Sequence, residues 1–262
     1  MGQMGEWLLH LPVVWMGLVI FAGTYLIAAM IFWSATRFNE RVRIIDPGLL
    51  SPLGVVFGLL VVFTAAQVWG DLERAGNAVA TEASALRAVV LLADGLPEKQ
   101  ASDLRALASR HIAKSATEEW PAMAQGRANL AMPSAALREA LQKALTLPTV
   151  NDAERTAQRE IVSALQSVLE ARRQRIVISQ STVNPVKWFG LALTGLCVLI
   201  AITMVHLDNR RNCGIALALF ATGMAVSLLL IASHSRPFTG EISVGPDLLW
   251  QIPVHDVRGY AP

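Results

Sequence analysis

Four blocks of apolar residues constrain this chain more than any other feature of its sequence. They run from about Trp7 to Trp33, Leu49 to Trp69, Pro185 to Val205 and Gly214 to Ala232. Each block is close to the ~20 apolar residues that a helix needs to cross about 30 Å of hydrocarbon. A single small domain has no room to bury so many long apolar helices in its core. The sequence therefore predicts four transmembrane helices.

The composition agrees with a membrane protein and excludes several other classes. Hydrophobic residues make up 53% of the chain and charged residues only 16%, whereas an ordinary soluble domain has about 25% charged residues. So apolar a chain is not intrinsically disordered, and two cysteines are too few for a disulfide framework. The net charge of +2 indicates no strongly charged partner, and we expect no binding to nucleic acid.

The first block is interpreted as a membrane helix and not as a cleaved secretory signal. Residues 1–6 contain no lysine or arginine, and the apolar run is much longer than the ~7–15 residues of a signal peptide. Tryptophans lie at or near the block ends, at Trp7, Trp33, Trp69 and Trp188. This is where an amphipathic ring favours the headgroup layer of a bilayer.

A polar segment, residues 71–184, separates the second and third blocks. Alanine, leucine, arginine, glutamate and glutamine dominate it, and these residues favour helix. No proline lies between Asp71 and Ala93, so the second membrane helix is predicted to continue to about residue 93. Further helices are predicted at about 97–119, ending at Trp120-Pro121, and at 134–144 and 152–178.

The predicted fold class is an all-α membrane protein with a helical bundle inserted between membrane helices two and three. Residues 1–70 are expected to form transmembrane helices one and two, and residues 71–184 an extramembrane helical domain. Residues 185–235 are expected to form transmembrane helices three and four, and residues 236–262 a C-terminal tail.

A search for catalytic or metal-binding patterns finds none. The sequence has no phosphate-binding loop, no nucleophile elbow and no pair of histidines at helical spacing. Cys197 and Cys213 have no C-x-x-C spacing. The adjacent Glu118 and Glu119 face different directions on a helix and are predicted to be solvated. The protein is therefore predicted not to be an enzyme and to need no cofactor and no metal.

Two interpretations apply to the basic cluster Arg172, Arg173 and Arg175. Its charges are positioned either to bind phospholipid headgroups or another anion, or simply to lie near the membrane interface.

The second block carries an apolar stripe with two possible roles. The stripe consists of residues at i, i+4, i+8 and i+11, namely Ser51, Val55, Leu59 and Val62. On another side of the same helix, Gly54 and Gly58 have no side chain and so allow another helix to pack closely. On spacing alone, the stripe either packs against lipid or, in an oligomer, forms rings of apolar side chains around an axis. Such rings gate ion flow by dewetting.

The same block resembles the pore helix of bestrophin channels. Pro52-Leu53, Gly58 and Trp69 stand at matching spacing. The chain is most similar to the bacterial bestrophin-like family, and the resemblance covers most of residues 48–250. The matched motif positions are Glu82-Ala83, Glu119-Trp120-Pro121, Arg172, Arg175, Pro237, Phe238 and Gly240.

The resemblance implies a homo-oligomeric ion channel, with a pentamer favoured, in the bacterial inner membrane. Its partners would be the lipid bilayer and small inorganic ions, and its hydrophobic neck would include Ser51, Val55 and Leu59. The chain departs from the family in three ways. Val55 and Leu59 replace bulky aromatic neck residues, Gln67-Val68 replaces an arginine-tryptophan pair, and the acidic run of the family's calcium site is missing. Calcium gating is therefore not expected.

Two further questions stay open at the level of sequence. The chain is alternatively a membrane-anchored sensor or scaffold, in which the helical domain binds a ligand or partner; a monomer or dimer would favour this reading. The arginines in loops 34–50 and 207–212 predict that these loops are cytoplasmic and the domain outside. The bestrophin layout instead places the domain in the cytoplasm.

Overall fold

The computed structural model describes residues 12–37, 46–131 and 134–253. Within these ranges the ordered elements are helices and turns, and no strand occurs. The predictions for Trp7 and the other residues before position 12 lie outside the described residues.

The four predicted membrane helices are confirmed as helices long and apolar enough to cross a bilayer. They are α1 (Val13–Arg37), the first part of α2 (Leu50–Ala93), α7 (Pro185–Val205) and α8 (Arg210–Ser233). Side-chain caps fix two of their starts. The side chain of Asn184 accepts a hydrogen bond from the Val186 amide, and Asn209 accepts one from the Asn212 amide.

Helix α2 follows a short 3-10 turn, Pro47–Leu49, and runs without interruption to Ala93. The continuation beyond the apolar block is as predicted. Pro52 lies in its first turn, where the missing N–H would have no helical acceptor in any case.

The remaining helices lie in the polar segment and near the C-terminus. They are α3 (Glu98–Lys114), a π-helical turn (Ser115–Glu119), α4 (Trp120–Ala124), α5 (Ala135–Leu145), α6 (Asp152–Ser179) and α9 (Asp247–Trp250). The predicted helix end at Trp120-Pro121 is wrong, because the chain passes through the π turn and stays helical to Ala124. A wider turn is one way in which a helix accommodates a proline that has no N–H to donate.

One compact unit contains the described residues up to Gly70 together with 182–236 and 240–242. Its helices pack around a core that includes Phe57 of α2, Leu199 of α7 and Met224 of α8. Gly195 of α7 lies so close to this core that an added methyl carbon would come within 2.6 Å of the Met224 side chain.

The second unit contains the described residues of Asp71–Ser181 together with 237–239 and 243–253. Its core joins Leu86 of α2, Leu104 of α3, Leu137 of α5 and Leu165 of α6. The C-terminal segment contributes Phe238, Leu249 and Ile252 to this same core.

Candidate functional site

The membrane part of α2 leaves one apolar face uncovered in a single copy of the chain. Ser51 is exposed, and so are Val55, Leu59 and Val62, which are 58%, 50% and 61% exposed. On the opposite side of the helix, Phe57, Thr64 and Val68 are buried. The stripe predicted from spacing is thus a real surface of the helix that no described residue covers.

This segment is also the least buried of the four membrane helices. Only 11% of its apolar window is buried within the chain, compared with 22% for α1, 39% for α7 and 33% for α8. Among the described residues, α2 therefore has the greatest share of apolar surface left for lipid or for other copies.

Gly54 and Gly58, predicted as packing residues, lie beside this stripe. A methyl group added at either position would meet nothing within 4 Å in one copy of the chain. Neither glycine therefore serves a close contact within the described chain, and the space beside each is open. Trp69, at the end of the apolar segment, is 51% exposed.

A buried ion-pair network occupies the centre of the second unit. Arg175 is completely buried; its Nε and Nη2 donate to the two carboxylate oxygens of Glu82 at 2.8 and 3.1 Å, and Nη2 also donates to Glu119 Oε2 at 2.9 Å. Arg172 donates from Nε to Glu119 Oε1 at 2.8 Å. His111 Nε2 lies 2.9 Å from Glu82 Oε1. These side chains come from α2, α3, the π turn and α6, so the network ties four elements together.

The network balances two carboxylates with two guanidinium groups. Burial by itself would raise the pKa of Glu119, but the hydrogen bond from Arg172 and the charge of Arg175 outweigh it and hold that pKa below its usual value. The guanidinium of Arg175 also lies 4.2 Å from the centre of the Trp120 ring, in a cation–π geometry. Every charge in the network has an opposite partner, which is the condition for burying charges at low cost.

Two expectations about these residues are wrong. Glu119 is not solvated; it is 2% exposed, whereas its neighbour Glu118 is exposed. Arg172 and Arg175 are not at a membrane or lipid interface but buried inside the helical unit, and only Arg173 of that cluster is exposed. Spacing along one helix does not reveal these ion pairs, because the paired residues lie more than 50 positions apart in the sequence.

The C-terminal motif packs against Trp120. The indole Nε1 donates to the Val244 carbonyl at 2.9 Å, and the Trp120 ring meets Phe238 edge-on with centroids 6.1 Å apart. Pro237 and Phe238 are buried, and Gly240 has φ +91, a left-handed conformation that favours glycine. Pro121 is exposed.

The structure thus brings most predicted motif residues into one place. The network includes Glu82, Trp120, Arg172 and Arg175, and Phe238 contacts the ring of Trp120. Sequence reasoning missed the participation of His111 and Ser115, whose hydroxyl lies 3.4 Å from both the His111 ring and Glu119. The available signal was their spacing, since His111, Ser115 and Glu119 follow one another at i, i+4 and i+8.

The chemistry of this network is structural. No group of three or more histidine, cysteine, aspartate or glutamate side chains suited to a metal ion occurs in the part of the chain that the structure describes. The guanidinium groups of Arg172 and Arg175 are paired with the buried carboxylates of Glu82 and Glu119. They are therefore not available to bind an anionic ligand.

Comparison with known proteins identifies one matching family model and several similar folds. The family model described as Bestrophin-like domain matches residues 22–249. Among curated proteins, no sequence matches the chain. The fold is similar to a crystal structure of a bacterial bestrophin homolog from Klebsiella pneumoniae, with 14% identity, a TM-score of 0.73, and coverage of 94% of this chain and 99% of that one. A single-residue variant of that homolog matches with 12% identity, a TM-score of 0.72, and coverage of 92% and 98%.

Proposed function

The chain belongs to the bestrophin-like family, and from this premise we propose that it is a homo-oligomeric ion channel whose pore is lined by the first part of α2. The observation that carries the proposal is the uncovered stripe of Ser51, Val55, Leu59 and Val62 on the least buried membrane helix. Several copies arranged around an axis would turn this stripe into successive rings.

The chemistry of the stripe suits passive conduction through an apolar neck. Beyond Ser51 its members are valine and leucine, and no charged residue lies between Gly48 and Gly70. Rings of such side chains exclude water when narrow and admit it when wider, so pore width controls ion flow. Ions would cross by diffusion, without covalent chemistry, a metal or a cofactor.

The open space at Gly54 and Gly58 supports close approach between neighbouring α2 helices. Small residues at membrane interfaces let helix backbones pack tightly, and both glycines lie beside the stripe and not within the chain's own core. A ring closed by repeated head-to-tail contacts needs such a surface on each copy. A pentamer is the assembly we propose.

The surroundings follow from the same proposal. The protein would reside in a bacterial inner membrane as a multi-pass protein in contact with the lipid bilayer, and its permeants would be small inorganic ions. Residues 1–70 and 185–235 would form the membrane part. Residues 71–184 would form the extramembrane helical domain, and Phe238, Leu249 and Ile252 of the C-terminal segment belong to its core.

Two adjacent valines provide a matched test of the pore face. Val55 and Val56 are 58% and 48% exposed, but they point about 100° apart around the helix. Replacing valine by threonine keeps the size and adds a hydroxyl that eases wetting. In planar bilayers, Val55→Thr is expected to raise single-channel conductance, whereas Val56→Thr is expected to leave it unchanged.

Two results would contradict the proposal. The first is absence of current from wild-type protein that elutes as a well-folded oligomer. The second is an equal response to Val55→Thr and Val56→Thr. A monomer or dimer by mass measurement in detergent would instead favour the membrane-anchored sensor or scaffold.

A further inference from the structure

Glu73 has a charged side chain that is exposed in the fold. It lies on α2 just after the apolar segment and makes no hydrogen bond or ion pair within the described residues. It follows Val55 by about five helical turns at ~3.6 residues per turn. Glu73 therefore occupies the same face of α2 as the stripe.

Resting on the proposed channel function, we infer that Glu73 sets the charge preference of the pore and favours cations. Along this face of α2 the stripe from Ser51 to Val62 is uncharged, and so are Ala66 and Trp69. Glu73 is the first charge that an ion meets on leaving this stretch. In an oligomer it becomes a ring of carboxylates, which attracts cations and repels anions.

The nearby Arg74 does not cancel this charge. Its guanidinium is paired with the carboxylate of Asp71, so the two together are close to neutral. Arg74 also points about 100° away from Glu73 around the helix. The unpaired negative charge on the stripe face is that of Glu73.

Arg87 is the next charge on the same face, and it is too far away to oppose Glu73. The two residues are separated by about 21 Å along the helix at ~1.5 Å per residue. Charges in physiological salt are screened over about 8 Å, so a ring of Arg87 contributes little at the level of Glu73. Exposed, neutral Asn77 and Ser84 lie between them.

The size of the effect follows from screened electrostatics. For five carboxylates about one Debye length from the axis, a monovalent cation is enriched about fivefold and an anion depleted to a similar degree. The cation-to-anion permeability ratio is therefore expected to change about 25-fold when the charge is removed.

The test compares Glu73→Gln, Glu73→Lys and Arg87→Gln with wild-type protein in planar bilayers under a potassium chloride gradient. Glu73 and Arg87 are exposed, and elution as an oligomer confirms folding of each variant. The wild type is expected to prefer potassium. Glu73→Gln is expected to lower the permeability ratio about 25-fold, and Glu73→Lys to reverse the preference. Arg87→Gln removes a positive charge and is therefore expected not to lower the ratio.

The outcomes separate this inference from the proposed function. If the wild type and the variants conduct but their permeability ratios agree within about twofold, Glu73 is not the selectivity residue although the channel stands. A fall in the ratio with Arg87→Gln as large as that with Glu73→Gln also overturns the inference, because the effect would then not depend on the sign of the charge. If folded wild-type oligomers carry no current, both the channel function and the role of Glu73 are overturned.

Discussion

Removing the charge of Arg175 is the perturbation that most sharply tests how the helical unit is held together. In Arg175→Gln, Glu82 loses two hydrogen bonds of 2.8 and 3.1 Å, and Glu119 loses one of 2.9 Å. Both carboxylates stay buried, and the net charge of the network becomes negative because only one guanidinium group remains. The ring of Trp120 also loses its cationic partner.

The expected loss of stability is large because a buried charge is left without compensation. Breaking a buried ion pair by removing one partner costs about 3–5 kcal/mol. For a chain of this size, about 1 kcal/mol shifts the unfolding midpoint by roughly 2–4 °C, so Arg175→Gln is expected to lower it by about 6–20 °C.

A control of the same type lies two residues away on α6. Among the residues that the structure describes, Arg173 pairs only with Glu170, at the surface, and both side chains are more than half exposed. Surface pairs of this kind contribute about 0–1 kcal/mol, so Arg173→Gln is expected to shift the midpoint by no more than about 4 °C.

The assay is the fraction of protein that still elutes in the folded peak of a size-exclusion column after heating in detergent, measured for both variants and the wild type. If Arg175→Gln and Arg173→Gln melt within about 2 °C of each other, the claim that the buried network stabilises this unit is refuted. Replacing Glu82, Glu119, Arg172 and Arg175 together by apolar residues is expected to restore part of the stability, because no unpaired charge then remains.

Three further predictions follow from named contacts. The pKa of Glu119 is held below its ordinary value of 4.5, so its contribution to stability is complete above that value and is lost as the pH falls through the lower folded pKa. Glu119→Gln should therefore make the unfolding midpoint less sensitive to pH below about 4.5; an unchanged pH profile would count against the ion pair. Gly195→Leu should destabilise the membrane unit by forcing the α7 core apart, whereas Gly190→Leu, with open space at its Cβ, should not, as thermal elution of both variants would reveal. Trp120→Phe removes the donor to the Val244 carbonyl and should cost about 1–2 kcal/mol, seen as earlier proteolysis of the C-terminal segment; an unaltered digestion time course would argue against that contact.

The helices were predictable because their causes are local in sequence. The bounds of α7 match the predicted third span, since Asn184-Pro185 both caps and starts the helix. Helix α2 continues to Ala93 because nothing between Asp71 and Ala93 breaks it. The prediction was wrong at Trp120-Pro121, because a proline normally ends a helix. Here the π turn before Trp120 accommodates the proline, and the chain stays helical to Ala124.

The interior of the helical unit was not predictable in the same way. Glu119 was expected to be solvated because a charged side chain without visible partners usually is. Its partners Arg172 and Arg175 lie more than 50 residues further along the chain, and only the tertiary fold brings them together. The stripe of α2 was visible in the sequence because helical spacing alone defines a face, although spacing does not say what covers it.

Cysteine accessibility along α2 tests the central claim, that this face lines an ion path, most directly. The background is Cys197→Ser with Cys213→Ser, which removes both native thiols, and single cysteines are placed at Val55 or at Val56. A small, positively charged thiol reagent is then added from the aqueous side during bilayer recording. The account predicts rapid, irreversible block of current for Val55→Cys and none for Val56→Cys; block of both at similar rates, or of neither while current persists, would contradict it.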